Sequence, residues 1–183
     1  MVSQATYQAI TLEDQENQWE LFEGRLAEKP SMSFAHNEIM AELGFMLRSQ
    51  LSHDDFVVRV NAGRLRRGER NYYIPDVMVI PRSVVLQSRA FPTTIEIYDQ
   101  PLPFVAEVWS PSTGAYDVDD KSPEYKARGD LEIWRLQPWE RTLNTWRRRD
   151  DGGYDESIQK GGLVHPVGLP GVTIDLDQLF NLG

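Results

Sequence analysis

The chain has 183 residues, 40% hydrophobic and 26% charged, with a formal net charge of −9 and no cysteine. That length and balance suit one soluble globular domain spanning residues 1–183, and the missing cysteines exclude disulfides, thiolate nucleophiles and Cys-based zinc sites. The acidic balance argues against a general nucleic-acid coat protein. No apolar run reaches the length of a membrane span, and Met1-Val2-Ser3-Gln4-Ala5-Thr6 lacks the regions of a signal peptide, so a cytoplasmic protein with no membrane partner is expected.

Thr11-Leu12-Glu13-Asp14 has a capping pattern and predicts the start of a short N-terminal helix. Trp19-Glu20-Leu21-Phe22-Glu23, a turn at Gly24 and Arg25-Leu26-Ala27 read as a strand pair. After Pro30, the apolar residues Ile39, Leu43, Met46, Leu47 and Leu51 fall at helical spacing and predict a long helix over about residues 34–51. Phe56-Val57-Val58-Arg59-Val60 reads as a strand, residues 63–71 as a basic, polar excursion, and residues 81–101 as a long irregular connection. A helix is expected through Tyr125-Lys126-Ala127, ending at Gly129. Alternating strands follow at Leu131 to Leu136 and Thr142 to Arg147, then a turn at Asp151-Gly152-Gly153 and a closing apolar segment after Leu169-Pro170-Gly171. This order predicts an α/β core in which helices flank a mixed central sheet.

Two acids stand out because each lies inside an apolar run. Asp76 follows Pro75 between Tyr72-Tyr73-Ile74 and Val77-Met78-Val79-Ile80, and Glu107 sits between Phe104-Val105-Ala106 and Val108-Trp109. A carboxylate is costly to bury unless it is paired, hydrogen-bonded or bound to a metal. Hard oxygen ligands on two strands suit Mg²⁺ or Mn²⁺, which take one or two carboxylates plus waters and phosphate oxygens. Lys121 then brings a compact positive charge to the reacting phosphate. The competing explanation is structural, since a Pro-Asp pair often caps or meets an arginine.

The residues Pro75-Asp76-Val77, Glu107-Val108-Trp109-Ser110-Pro111-Ser112-Thr113, Asp117, Lys121 and Tyr125 resemble the Uma-type restriction endonucleases, a bacterial group with the PD-(D/E)XK fold. The likeness extends through Glu20-Leu21-Phe22-Glu23-Gly24, the Pro30-Ser31 to His36 helix start and Leu169-Pro170-Gly171. It implies a restriction-endonuclease-like core, a Mg²⁺- or Mn²⁺-dependent DNA endonuclease, metal ligation by Asp76 and Glu107, and a catalytic Lys121 drawn from the next helix. In the wider superfamily the lysine lies two residues after the second acid, where this chain has Trp109. Asp120 replaces the usual glutamate before the lysine, and Pro123 puts Lys121 either at a helix start or beside a kink. Cutting both strands also implies a homodimer.

Other residues have two readings. Arg64, Arg66 and Arg67, within a basic run from Arg59 to Arg70, are either a DNA-binding patch or solvated hairpin ends; Arg147, Arg148 and Arg149 are taken as the latter. His36 either contacts phosphate or the acids' outer shell, or opens its helix facing solvent, while Tyr125 shares the helical face of Lys121. Glu20 and Glu23 are read as exposed hairpin acids. No histidine pair has zinc spacing and no phosphate-binding glycine loop appears. The rival functions are a catalytically inactive nuclease-fold binding or assembly module and a hydrolase of another phosphate ester.

Overall fold

The computed structural model describes residues 1–14, 16–88, 94–110 and 121–181. Its main sheet has six strands: β3 (Phe56–Val60), β6 (Val77–Pro81), β8 (Phe104–Val108), β9 (Glu132–Gln137), β10 (Thr142–Arg148) and β11 (Tyr154–Gln159). Their spatial order is β11-β10-β9-β8-β6-β3. The sheet is mixed, with β8 parallel to β9 and the other neighbours antiparallel. Glu107 therefore stands on a central strand.

The long helix α2 (Phe34–Gln50) covers one face of this sheet. Its Ile39, Leu43 and Leu47 pack with Val77, Val79, Ala106 and Val108. Alternation along the strands sends Met78, Ile80 and Val105 to the opposite face, where they meet Tyr125, Tyr73 and Tyr98. That face is roofed by a second sheet, in the order β2-β1-β5-β4-β7. Its members are β1 (Trp19–Phe22), β2 (Arg25–Glu28), β4 (Arg64–Arg67), β5 (Asn71–Tyr73) and β7 (Ile97–Tyr98). Short α4 (Ser122–Arg128) lies against β9 and ends at Gly129, whose φ of 84° is the left-handed conformation that closes a helix. A small ribbon of β12 (Leu163–Val164) and β13 (Ile174–Asp175) leads into α5 (Leu176–Leu179).

Three expectations need correction. The first helix, α1, runs Gln4–Glu13 and is capped by Ser3, whose Oγ accepts from Thr6 N at 3.1 Å. Thr11 to Asp14 is its end, because the Asp14 carboxylate organises the following turn, accepting from Asn17 N and Trp19 Nε1. The basic excursion is the β4–β5 hairpin, which turns Leu65 of β4 and Tyr72 and Tyr73 of β5 into the core while none of its arginines is buried. The connection over residues 81–101 contains α3 (Arg82–Ser88) and β7, the latter recruited by parallel pairing with β4.

Gly168 fastens the C-terminal segment to the start of β8: a Cβ there would lie 1.9 Å from the carbonyl oxygen of Pro103. Backbone cannot yield as a side chain does, so Gly168→Ala is expected to destabilise the fold by about 2–3 kcal/mol. Urea unfolding checks this, and an unchanged midpoint would show the contact to be looser than described.

Candidate active site

Asp76 occupies the gap between β5 and β6, where Pro75 interrupts the ladder, and is 1% exposed. Val77 pairs with Ala106, and continuing that antiparallel register by one residue sets Asp76 opposite Glu107. Directly opposed residues hold their Cβ atoms about 5 Å apart. Asp76 Oδ2 accepts from Val108 N at 2.7 Å and from His36 Nε2 at 2.9 Å. Oδ1 accepts from Lys29 Nζ at 2.8 Å. Burial pushes the Asp76 carboxyl up, but the charge of Lys29, the His36 hydrogen bond and the more distant charge of Lys121 together hold it well below the usual carboxylate range.

Local structure explains the delivery of these partners. His36 is the third residue of α2, whose start is fixed by Ser33 Oγ accepting from His36 N at 3.3 Å. The imidazole is thereby turned inward, and the solvent-facing reading of His36 is overturned by its burial against Asp76. Lys29 directly follows β2 and also donates to Asn61 Oδ1 and Ile74 O, each at 2.8 Å.

Glu107 is 3% exposed and faces the second sheet. Its Oε1 accepts from Tyr125 OH at 2.5 Å and lies 3.4 Å from Lys121 Nζ. Lys121 stands at the N-cap of α4, just outside the helix, with Pro123 in the first turn, where no intrahelical N–H is lost. That arrangement carries the ammonium to the acids without a kink. The same ammonium lies 3.1 Å from Glu20 Oε1, which also accepts from Ile74 N at 2.7 Å.

Asp76, Glu107, Lys121, His36 and Tyr125 thus converge in one buried cluster. Glu20 joins them, 1% exposed rather than a surface hairpin acid. Lys29 was not anticipated at all. The sequence carried no signal for Glu20: next to Leu21 it occupies what reads as the outward position of an alternating strand, and only the fold buries both. Lys29, a lone lysine before a proline, has no signature either. Arg64, Arg66 and Arg67 are engaged elsewhere: Arg64 Nε donates to Tyr7 OH at 2.9 Å, Arg66 pairs with Asp99, and Arg67 pairs with Glu124 of α4 at 2.5 Å. Ser112, Thr113, Asp117 and Asp120 lie outside the described residues.

Among the described residues no three His, Asp or Glu side chains are set as a metal cage. Magnesium does not need one, because one or two carboxylates with waters suffice. The carboxylates of Asp76 and Glu107, at opposed positions of neighbouring strands, are of the hard-oxygen type that such a cation takes.

The Uma2 family, described as "Putative restriction endonuclease", matches residues 4–177. The chain belongs to this family. Among solved structures, the "putative nuclease belonging to DUF820" from Anabaena variabilis superposes with a TM-score of 0.78 at 18% identity, covering 100% of this chain and 99% of that one. At that identity the likeness establishes the fold, a restriction-endonuclease-like mixed α/β core. No curated protein matches. This Uma2 chain has, among its described residues, no helix long and apolar enough to cross a membrane.

Asp76→Asn is expected to cost about 3–5 kcal/mol at pH 7, because buried Lys29 loses its counter-charge. The folded pKa lies below the unfolded value of about 3.9, so the ionic contribution is complete above that pH and fades as pH falls toward the folded value. Denaturant unfolding of both proteins across pH 2–7 tests this: the gap should narrow below about pH 4, and a gap independent of pH contradicts the assignment.

Proposed function

We propose that this protein is a Mg²⁺- or Mn²⁺-dependent DNA endonuclease that hydrolyses phosphodiester bonds. The observation that carries the reading is the convergence of Asp76, Glu107 and Lys121, distant in the chain, in one buried cluster with Lys121 Nζ 3.4 Å from Glu107 Oε1. Asp76 and Glu107 would hold the ion, which when bound polarises the scissile phosphate and acidifies a water.

The chain's own residues supply the rest. His36 and Val108 N orient Asp76, and Tyr125 OH orients Glu107 while donating to its Oε1. Lys121 offers positive charge to the phosphate oxygens as charge builds on them. A water oxygen forms the new P–O bond, one bridging P–O bond breaks, and its electron pair leaves on the sugar oxygen, which takes up a proton.

For the DNA backbone, Arg66 and Arg67 are the candidate contacts. Both now hold carboxylates in forked geometry, which a phosphate can replace. Arg67 is the nearer to the reacting groups, since its partner Glu124 immediately precedes Tyr125. Arg64, tied to Tyr7, is better placed to support the sheet than to meet DNA. A homodimer completes the proposal, because one site per chain cuts one strand at a time.

A second reading, an inactive nuclease-fold binding module, draws on one observation: each of the three acids already faces a lysine. Plasmid cleavage separates the two. With Mg²⁺ or Mn²⁺ the protein is expected to nick or linearise DNA, and Asp76→Asn, Glu107→Gln and Lys121→Met should each reduce the rate by about a hundredfold or more. Cleavage that survives all three substitutions overturns the site. DNA binding without cleavage, indifferent to EDTA, establishes the module.

A further inference from the structure

Lys29 is buried to an extent unusual for a lysine, its side chain 4% exposed, and it sits in a socket built for a cation. Its Nζ lies 2.8 Å from each of three oxygens: Asn61 Oδ1, Ile74 O and Asp76 Oδ1. An ammonium has three donors, and all three are spent. The socket is rigid on its far side as well, because Asn61, held at a φ of 47°, donates its backbone N–H to Asp76 O at 2.7 Å. Backbone on both sides of Pro75 is therefore tied to the same ammonium.

This geometry restricts how a divalent ion reaches Asp76. Oδ2 already accepts from His36 Nε2 and Val108 N, one for each lone pair. Approach is left to Oδ1, beside or in place of the lysine. Two cations on one carboxylate oxygen, out of water, repel strongly.

We propose that the Lys29 ammonium is a built-in competitor for the divalent cation at Asp76. It neutralises the acid when no ion is bound, keeps the fold intact in that state, and lowers the affinity of the site for Mg²⁺ and Mn²⁺. The site then loads only where the ion is abundant or where a bound phosphate adds negative charge. This inference rests on the reading that Asp76 and Glu107 share a cation.

Calorimetric titration of the full chain with MnCl₂ alone, without DNA, tests it. Lys29→Met is expected to bind Mn²⁺ at least about tenfold more tightly than the unmodified protein, and Lys29→Arg, which keeps the charge, within about threefold of it. Saturating Mn²⁺ should also raise the melting temperature of Lys29→Met by more than that of the unmodified protein. Should Lys29→Met be unfolded without metal, folding on addition of Mn²⁺ supports the competition, and failure to fold at saturating Mn²⁺ overturns it. Equal or weaker binding by Lys29→Met, where the unmodified protein does bind, overturns the competitor and leaves the nuclease reading standing. Absence of Mn²⁺ binding in both proteins removes the shared-cation site and the inference with it.

Discussion

Three carboxylates, two ammonium groups and an imidazole are held out of water together in one cluster of this protein, and both of its larger sheets and two of its helices contribute members. β1 supplies Glu20, the residue after β2 supplies Lys29, and α2 supplies His36. The β5–β6 gap supplies Asp76, β8 supplies Glu107, and α4 brings Lys121 and Tyr125. An isolated buried charge is prohibitively costly, whereas a paired and hydrogen-bonded one is tolerable. The lysines are the members that cannot be spared: without Lys29, Asp76 loses its nearest ammonium, and without Lys121, Glu20 and Glu107 both lose theirs. Structural and chemical demands coincide here: the pairing that makes the cluster tolerable also aims the acids at one point.

That coincidence explains which parts were legible in the sequence. Acids inside apolar runs advertise burial, so Asp76 and Glu107 stood out, and the helical spacing of Ile39, Leu43 and Leu47 marked α2 within a residue or two. The strands β9 and β10 were equally plain in position, although their alternating sequences suggested half-buried strands and the fold buries most of their residues on both faces. Illegible were features whose meaning depends on a distant partner. β7 is two residues long and exists because β4 lies beside it. The β4 strand itself carries three arginines and one apolar residue, so its pattern reads as solvent-exposed loop. Lys29 looks like any lysine ending a hairpin, and only the fold brings Asn61, Ile74 and Asp76 around it.

The acidic balance of the chain bears on how it would meet a polyanion. A net charge of −9 is unfavourable for long-range attraction to a polyanion. Specific basic side chains on the roofing sheet, Arg66 and Arg67, are nevertheless held in forked pairs that preserve their orientation. Exchange of a carboxylate for a phosphate at such a fork costs little reorganisation. Recognition would then depend on exchange of partners at short range rather than on an extended positive field, and would be sensitive to salt.

The most direct measurement of the central claim is anomalous diffraction from crystals soaked in MnCl₂. The account requires a manganese peak within about 2.2 Å of a carboxylate oxygen from each of Asp76 and Glu107, with the Lys29 ammonium displaced from Asp76 Oδ1. A soak that leaves no peak between these acids, with Lys29 and Lys121 still seated on their present partners, would contradict it.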